Sequence, residues 1–231
     1  MTQTEEAGSD SSQDPPLVTE QDRSRELPTT ARGARTRAAL VAAARVIFER
    51  DGYLESRLTD ITREARCSTG SFYTYFSSKE EILTAVLETA QHDMLHPGIK
   101  RVLPEDADPV ALIEASHRAY FEAYRRNAQL MVVFEQVALI NPHFRAMKGR
   151  RGESFRERNA RSIANLQERG LADPSLDPYR TALALNGMVG RLAWHAFGLE
   201  LEETLTVDDL VETATQLWAN ALKLAPTTTN T

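Results

Sequence analysis

Apolar residues recur every three or four positions along most of this chain, and no stretch alternates at period two for long enough to form a strand. From Thr36 to about Asp51 the apolar row is Leu40, Ala44, Ile47 and Phe48, with Val41 beside it. Gly52 is placed to stop that helix. Three short pieces follow between Leu58 and Leu83. Leu58 to Ala65 predicts a short helix, Arg66 and Cys67 a tight break, and Ser68 the N-cap of a second helix reaching Phe76. On that second helix Phe72 and Phe76 lie four apart and share a face. Thr69, Gly70, Ser71, Tyr73 and Thr74 occupy the opposite face, with hydrogen-bonding groups and little bulk. Ser78-Lys79-Glu80-Glu81 reads as a capping box that opens a fourth helix. This helix runs to about Leu95, and His96-Pro97-Gly98 ends it.

The second half predicts helices over Val110 to Arg126, Ala128 to Ile140, His143 to Gly170, Asp177-Pro178 to about Leu199, and Val207 to Leu224. Asn141-Pro142 and Leu171-Ala172-Asp173-Pro174 break the run. The last two helices are apolar on more than one stripe. Leu183, Gly187, Gly190 and Trp194 line one face; Leu210, Ala214, Leu217 and Ala221 form a row, with Trp218 in a second. One stripe of about 100° suffices to pack a helix on its own domain. The surplus predicts a homodimer built from these helices. Elsewhere polar groups interrupt apolar faces: His117, Tyr120 and Tyr124 on one helix, Met131, Phe134 and Glu135 on the next. Phe155 and Asn159 follow on the long helix, then Met188 and His195. An apolar cavity with a few converging polar groups is what a small-molecule pocket needs. The duller reading, that these are core residues and satisfied histidines, stands beside it.

Charge changes the picture more than composition does. The formal net charge is −6, which by itself disfavours a nucleic-acid partner. The distribution reverses that. Residues 1–31 carry two bases against seven acids, and residues 32–79 carry nine bases against five acids, a net of +4. The basic excess thus coincides with the three short helices. The acidic, proline-bearing stretch 1–31 cannot bury enough surface to order itself and is expected to be a disordered arm. Residues 226–231 are a polar tail. The single cysteine, Cys67, leaves no intrachain disulfide and suits a reducing cytosol. No basic-then-apolar leader and no membrane-spanning run are visible, so a cytoplasmic protein with no membrane partner is expected. The long helix carries Arg145, Lys148, Arg150, Arg151, Arg156, Arg158 and Arg161, usually a solvated face, alternatively a seat for a phosphate-bearing ligand.

Ile61-Thr62, Ala65-Arg66-Cys67-Ser68, Gly70-Ser71-Phe72-Tyr73, Tyr75-Phe76 and Lys79-Glu80 together resemble the DNA-binding domain of TetR-family transcriptional regulators. The resemblance covers roughly residues 35–83. Two positions depart from the family pattern. Arg66 stands where glycine is usual, and Thr62 replaces a small apolar residue. The resemblance implies an all-α fold: a three-helix helix-turn-helix DNA-binding domain over 32–83, its fourth, linking helix running to about 95. A larger helical ligand-binding and dimerisation domain over 96–225 would follow.

It also implies partners: a double-stranded DNA operator, a second copy of the chain, and a small effector, hydrophobic, lipid-like or acyl-CoA-like. No cofactor and no metal are called for. Tyr73, Tyr75 and Lys79 would hold phosphates, with Lys79 at a helix start. Thr69, Ser71 and Thr74 would face base edges and Gly70 would let the backbone approach, with Ser68 capping. Arg35 and Arg37 would add backbone or minor-groove contacts, and Arg57 could meet a phosphate. Two other classes stay open. An all-helical enzyme would need a nucleophile–base pair or a metal cluster, and no such spacing is present. A helical adaptor with a non-functional DNA-binding domain would follow if Arg66 disrupts the turn.

Overall fold

The computed structural model describes residues 28, 30–95, 108–198 and 205–224. Most of the expected arm, the His96-Pro97-Gly98 stop, Leu199 and the tail lie outside them. The described residues form α1 (Ala31–Glu55), α2 (Leu58–Glu64), α3 (Thr69–Tyr75), α4 (Lys79–Leu95), α5 (Pro109–Arg126), α6 (Ala128–Ile140), α7 (Pro142–Glu168), α8 (Pro178–Ala193) and α9 (Val207–Leu222). A π-helical turn, Trp194–Gly198, continues α8. No strand occurs among the described residues.

Local chemistry sets most boundaries. α1 begins before the expected Thr36, because the Thr30 hydroxyl accepts the Gly33 N–H and caps the helix. Arg32 and Arg35 are therefore helical. Gly52 adopts φ +75° and ψ 171°, an extended positive-φ conformation open to glycine and not the αL cap of an ordinary helix stop; it kinks the helix, and a last turn, Tyr53 to Glu55, resumes beyond it. Asp108, Asn141 and Asp177 each cap a helix whose first residue is proline. α2 closes in a Schellman motif: Arg66 N–H donates to Arg63 O at 3.1 Å and Cys67 N–H to Thr62 O at 3.0 Å. The residue in the left-handed position is Arg66 itself, φ +51°.

One hydrophobic core runs through the molecule, from Leu40 in α1 to Leu222 in α9. Phe48, Phe72 and Phe76 fill it beneath the short helices; Phe121, Phe134 and Phe144 fill it beneath the larger part. α1 packs on α4 and on α6, so the front unit is seated directly on the body. A polar knot pins that seat. Asp93 of α4 accepts from Arg126 at 3.1 Å and from Asn127 at 2.9 Å, and Arg45 of α1 donates to Arg126 O at 2.9 Å. Thr84 of α4 also meets His143 of α7 at 3.1 Å. Among the described residues no helix is long and apolar enough to cross a membrane.

Candidate functional site

Two regions carry candidate chemistry. The first is α3. Phe72 and Phe76 are fully buried and stack against each other at 5.8 Å, which fixes the helix by its inner face. Ser68 caps it, accepting the Ser71 N–H at 3.1 Å. Thr69, Gly70, Thr74 and Tyr73 then face outward, Tyr73 with 48% of its surface exposed. Ser71 is half-buried and Thr74 also donates to Gly70 O. Arg35 and Arg57 are exposed nearby in sequence; Arg37 is half-buried with its guanidinium 5.0 Å from the Phe76 ring centre. Tyr75 is half-buried and packs against the core, its hydroxyl turned toward Gly33 of α1.

Lys79 departs from expectation. Its ammonium donates to Tyr53 O at 2.7 Å and Ser56 O at 2.9 Å, and sits 4.5 Å from the Tyr53 ring centre. Carbonyls at the end of a helix lack an intrahelical donor and attract a cation; Tyr53 O accepts from Ser56 Oγ at 2.9 Å as well. The side chain is a clasp between α4 and the end of α1, not an outward phosphate ligand, and burial lowers its pKa.

The second region is a half-open cavity of about 1060 Å³ lined by α5, α6, α7, α8 and α9, at the upper end of ordinary small-molecule sites, roughly 300–1000 Å³. His117, Tyr120, Tyr124, Met131, Glu135, Phe155 and Asn159 line it, as anticipated. Phe134, Met188 and His195 do not. Phe134 is fully buried in the core and the other two are half-buried away from the space. Tyr120 stands edge-on to Phe155 at 5.9 Å and 6.0 Å from Tyr124, making an aromatic wall. His117 Nδ1 lies 3.0 Å from Thr215 Oγ1 of α9, and burial depresses its pKa to about 4, so the ring is neutral. Burial also pushes both tyrosine hydroxyls up. Glu135 is paired with Lys148. No group of three or more metal-ligating side chains occurs among the described residues.

Short helices held by aromatic plugs stand in front of a helical body that carries a half-open cavity. The profile of bacterial regulatory proteins of the tetR family matches residues 40–86, and that of the C-terminal domain of the transcriptional regulator EthR matches residues 113–223. The chain belongs to the TetR family of transcriptional regulators. The HTH-type transcriptional regulator EthR of Mycolicibacterium smegmatis is 24% identical over 193 residues, 80% of this chain and 85% of that protein. The regulator SrpR of Pseudomonas putida is 32% identical over 92 residues, 38% of this chain and 43% of that protein. Among solved structures, Salmonella enterica GusR superposes with a TM-score of 0.69 at 19% identity, covering 84% of this chain and 98% of GusR. A transcriptional regulator from a Rhodococcus species gives 0.67 at 20% identity, covering 82% and 99%. These structures share the fold.

In this TetR-family chain the residues expected at a dimer interface divide. Leu210, Ala214 and Trp218 are buried within the subunit on the side of α9 that packs against α5, which removes them from any outer surface. Gly190 and Trp194 are half-buried, and with Leu183, Gly187 and Trp218 they line the cavity. Leu183, 49% exposed, Leu217, 44% exposed, Gly187 and Ala221 remain at the surface. A Cβ on Gly190 would meet the Tyr120 hydroxyl at 3.8 Å, an ordinary contact, and one on Gly187 would stand in open space. Asn186, which accepts from Asn159 at 2.6 Å across the cavity wall, was not anticipated. The signal was available, as the lone polar residue within the Leu183–Gly187–Gly190 row.

Proposed function

We propose that this regulator is a homodimeric, ligand-released repressor of a two-fold operator, acting in the cytoplasm without catalysis. Residues 30–83 would form the reading head, with Thr69, Ser71 and Thr74 at base edges, Gly70 against the backbone, and Tyr73, Arg35, Arg37 and Arg57 on phosphates. Ser68 and Tyr75 would position α3. Lys79 is left out, since its ammonium is committed to carbonyls. One observation carries the ligand-released part: the cavity wall bonds directly to α4, the helix behind the reading head. Arg151 and Arg158, both lining the cavity, donate to Met94 Sδ at 3.0 Å and to Leu95 O at 3.3 Å. A ligand that moves either arginine would bias α4. A differential affinity of about 1–3 kcal/mol between the two arrangements is enough for a useful switch.

Relatives support the roles by name. BepR of Brucella suis is called a transcriptional repressor, and the A-factor receptor protein of Streptomyces griseus is called a receptor. The adaptor reading loses its premise at Arg66, because the left-handed turn forms with both Schellman bonds in place. The test is fluorescence anisotropy with duplex DNA from upstream of the protein's own coding sequence, with subunit number measured by native mass spectrometry. Specific, salt-dependent binding by a dimer is expected. A chain that ignores that DNA at low ionic strength, or that binds only as a monomer, is not such a repressor.

A further inference from the structure

Arg151 stands apart from the other cations of α7. Lys148, Arg156 and Arg161 are paired with Glu135, Glu153 and Glu157. Arg151 is half-buried, lines the cavity, and meets no carboxylate among the described residues. Its two terminal nitrogens rest on thioethers, Met131 Sδ at 2.9 Å and Met94 Sδ at 3.0 Å. Its guanidinium carbon lies 6.0 Å from the Phe155 ring centre. Thioether sulfur is a weak acceptor, so a guanidinium removed from much of its water is left poorly compensated.

The other polar groups of the wall point the same way. Asn186 Nδ2 and Trp218 Nε1 are buried donors with no acceptor among the described residues, and both residues line the cavity. Glu135, a carboxylate in the wall, is already neutralised by Lys148. Among the described residues the wall therefore offers unanswered donors and, at Arg151, a half-buried guanidinium that meets no carboxylate, beside a run of aromatic rings. Buried groups of this kind in a folded protein call for a partner.

We infer that the cavity is built for an amphipathic carboxylic acid whose carboxylate pairs with Arg151 and whose apolar body lies against Tyr120, Tyr124 and Phe155. A planar guanidinium fork matches a carboxylate in two parallel hydrogen bonds. The inference rests on the reading of the cavity as the effector site. It also says how the ligand would act: a carboxylate that draws the fork inward takes it from Met94 of α4.

The chain's two tryptophans, Trp194 and Trp218, both line the cavity, so their fluorescence reports occupancy. Titrate the full chain with decanoate, phenylvalerate and the corresponding neutral amides, and repeat with Arg151→Met and Arg151→Lys. The acids are expected to bind at least about tenfold more tightly than the amides. That ratio falls to about one in Arg151→Met and is partly kept in Arg151→Lys, where the charge remains. Thermal melts of the ligand-free variants establish that they fold. Equal affinity of acid and amide for the wild type, or a preference that survives in Arg151→Met, overturns the inference, as does binding of neither. DNA release is read separately by anisotropy. Acids that bind through Arg151 without releasing DNA uphold this subsite and sink the ligand-released reading. Amides that bind as well as acids and release DNA do the reverse.

Discussion

Arg66 and Lys79 each do something that their neighbours in sequence do not announce. A side chain at φ +51° carries a steric cost of about 1–2 kcal/mol relative to glycine, of which glycine's greater freedom in the unfolded chain returns about 0.5–1 kcal/mol. Arg66→Gly is therefore expected to raise stability by roughly 0.5 kcal/mol or slightly more, read as a higher midpoint in urea. An unchanged or lower midpoint would mean that the arginine makes a compensating contact. Lys79→Ala acts oppositely. It strands the carbonyl of Ser56, takes from Tyr53 O one of its two donors, and loses the contact with the Tyr53 ring, a cost of about 1–2 kcal/mol for a half-buried, charge-assisted set. The variant should melt earlier while the dependence of DNA binding on salt keeps its slope. A slope reduced by about one unit would instead restore a phosphate contact to Lys79.

Among the elements, α3 was the most readable and α9 the least. The Phe72/Phe76 pair and the Ser68 cap are local features, and a seven-residue helix has only one way to bury two rings four apart. α9 presents two apolar rows, and spacing alone cannot say which row meets its own domain. The structure turns Leu210, Ala214 and Trp218 inward and leaves Leu217 and Ala221 outward. Leu217, like Leu183 and Tyr179 of α8, presents an exposed apolar side chain. The proposed dimer would cover it. Leu217→Arg is expected to shift the protein toward monomers, by at least tenfold in dimer dissociation constant, while leaving the melting of the isolated subunit nearly unchanged. Sedimentation velocity checks this, and a dimer indifferent to the substitution would place the interface elsewhere.

At the scale of the whole molecule, α5 and α9 are joined partly through a neutral histidine. His117 is buried against Trp218 at 5.3 Å and bonded to Thr215. Its folded-state pKa of about 4 lies below the ordinary 6.5, so the unfolded chain takes up a proton that the folded one refuses. Stability present above pH 6.5 is accordingly lost as the pH falls through the interval toward 4. The loss should reach roughly 2 kcal/mol by about pH 5. Urea unfolding across that interval, compared with His117→Gln, measures it. The variant should lose the pH dependence above about pH 5, and an equal slope in both proteins would assign the effect to other groups. Here the sequence offered a histidine on an apolar face, open to two readings. The structure makes the ring a buried group bonded to Thr215 that also forms part of the cavity wall.

What the residues settled unaided was everything that depends on near neighbours. Helical periodicity, the capping side chains at Ser68, Asp108 and Asp177, the turn at Arg66-Cys67 and the plug of Phe72 and Phe76 follow from contacts within a few positions. Long-range packing decided the rest. Which row of α9 met its own domain, and whether the cation at Lys79 faced water or the carbonyls of Tyr53 and Ser56, depended on elements distant in the chain. So did the choice, among the seven basic residues between 145 and 161, of the one left facing two sulfurs. A side chain's neighbours across space are set by how helices cross, and helical spacing records the face of a residue without naming what that face will meet.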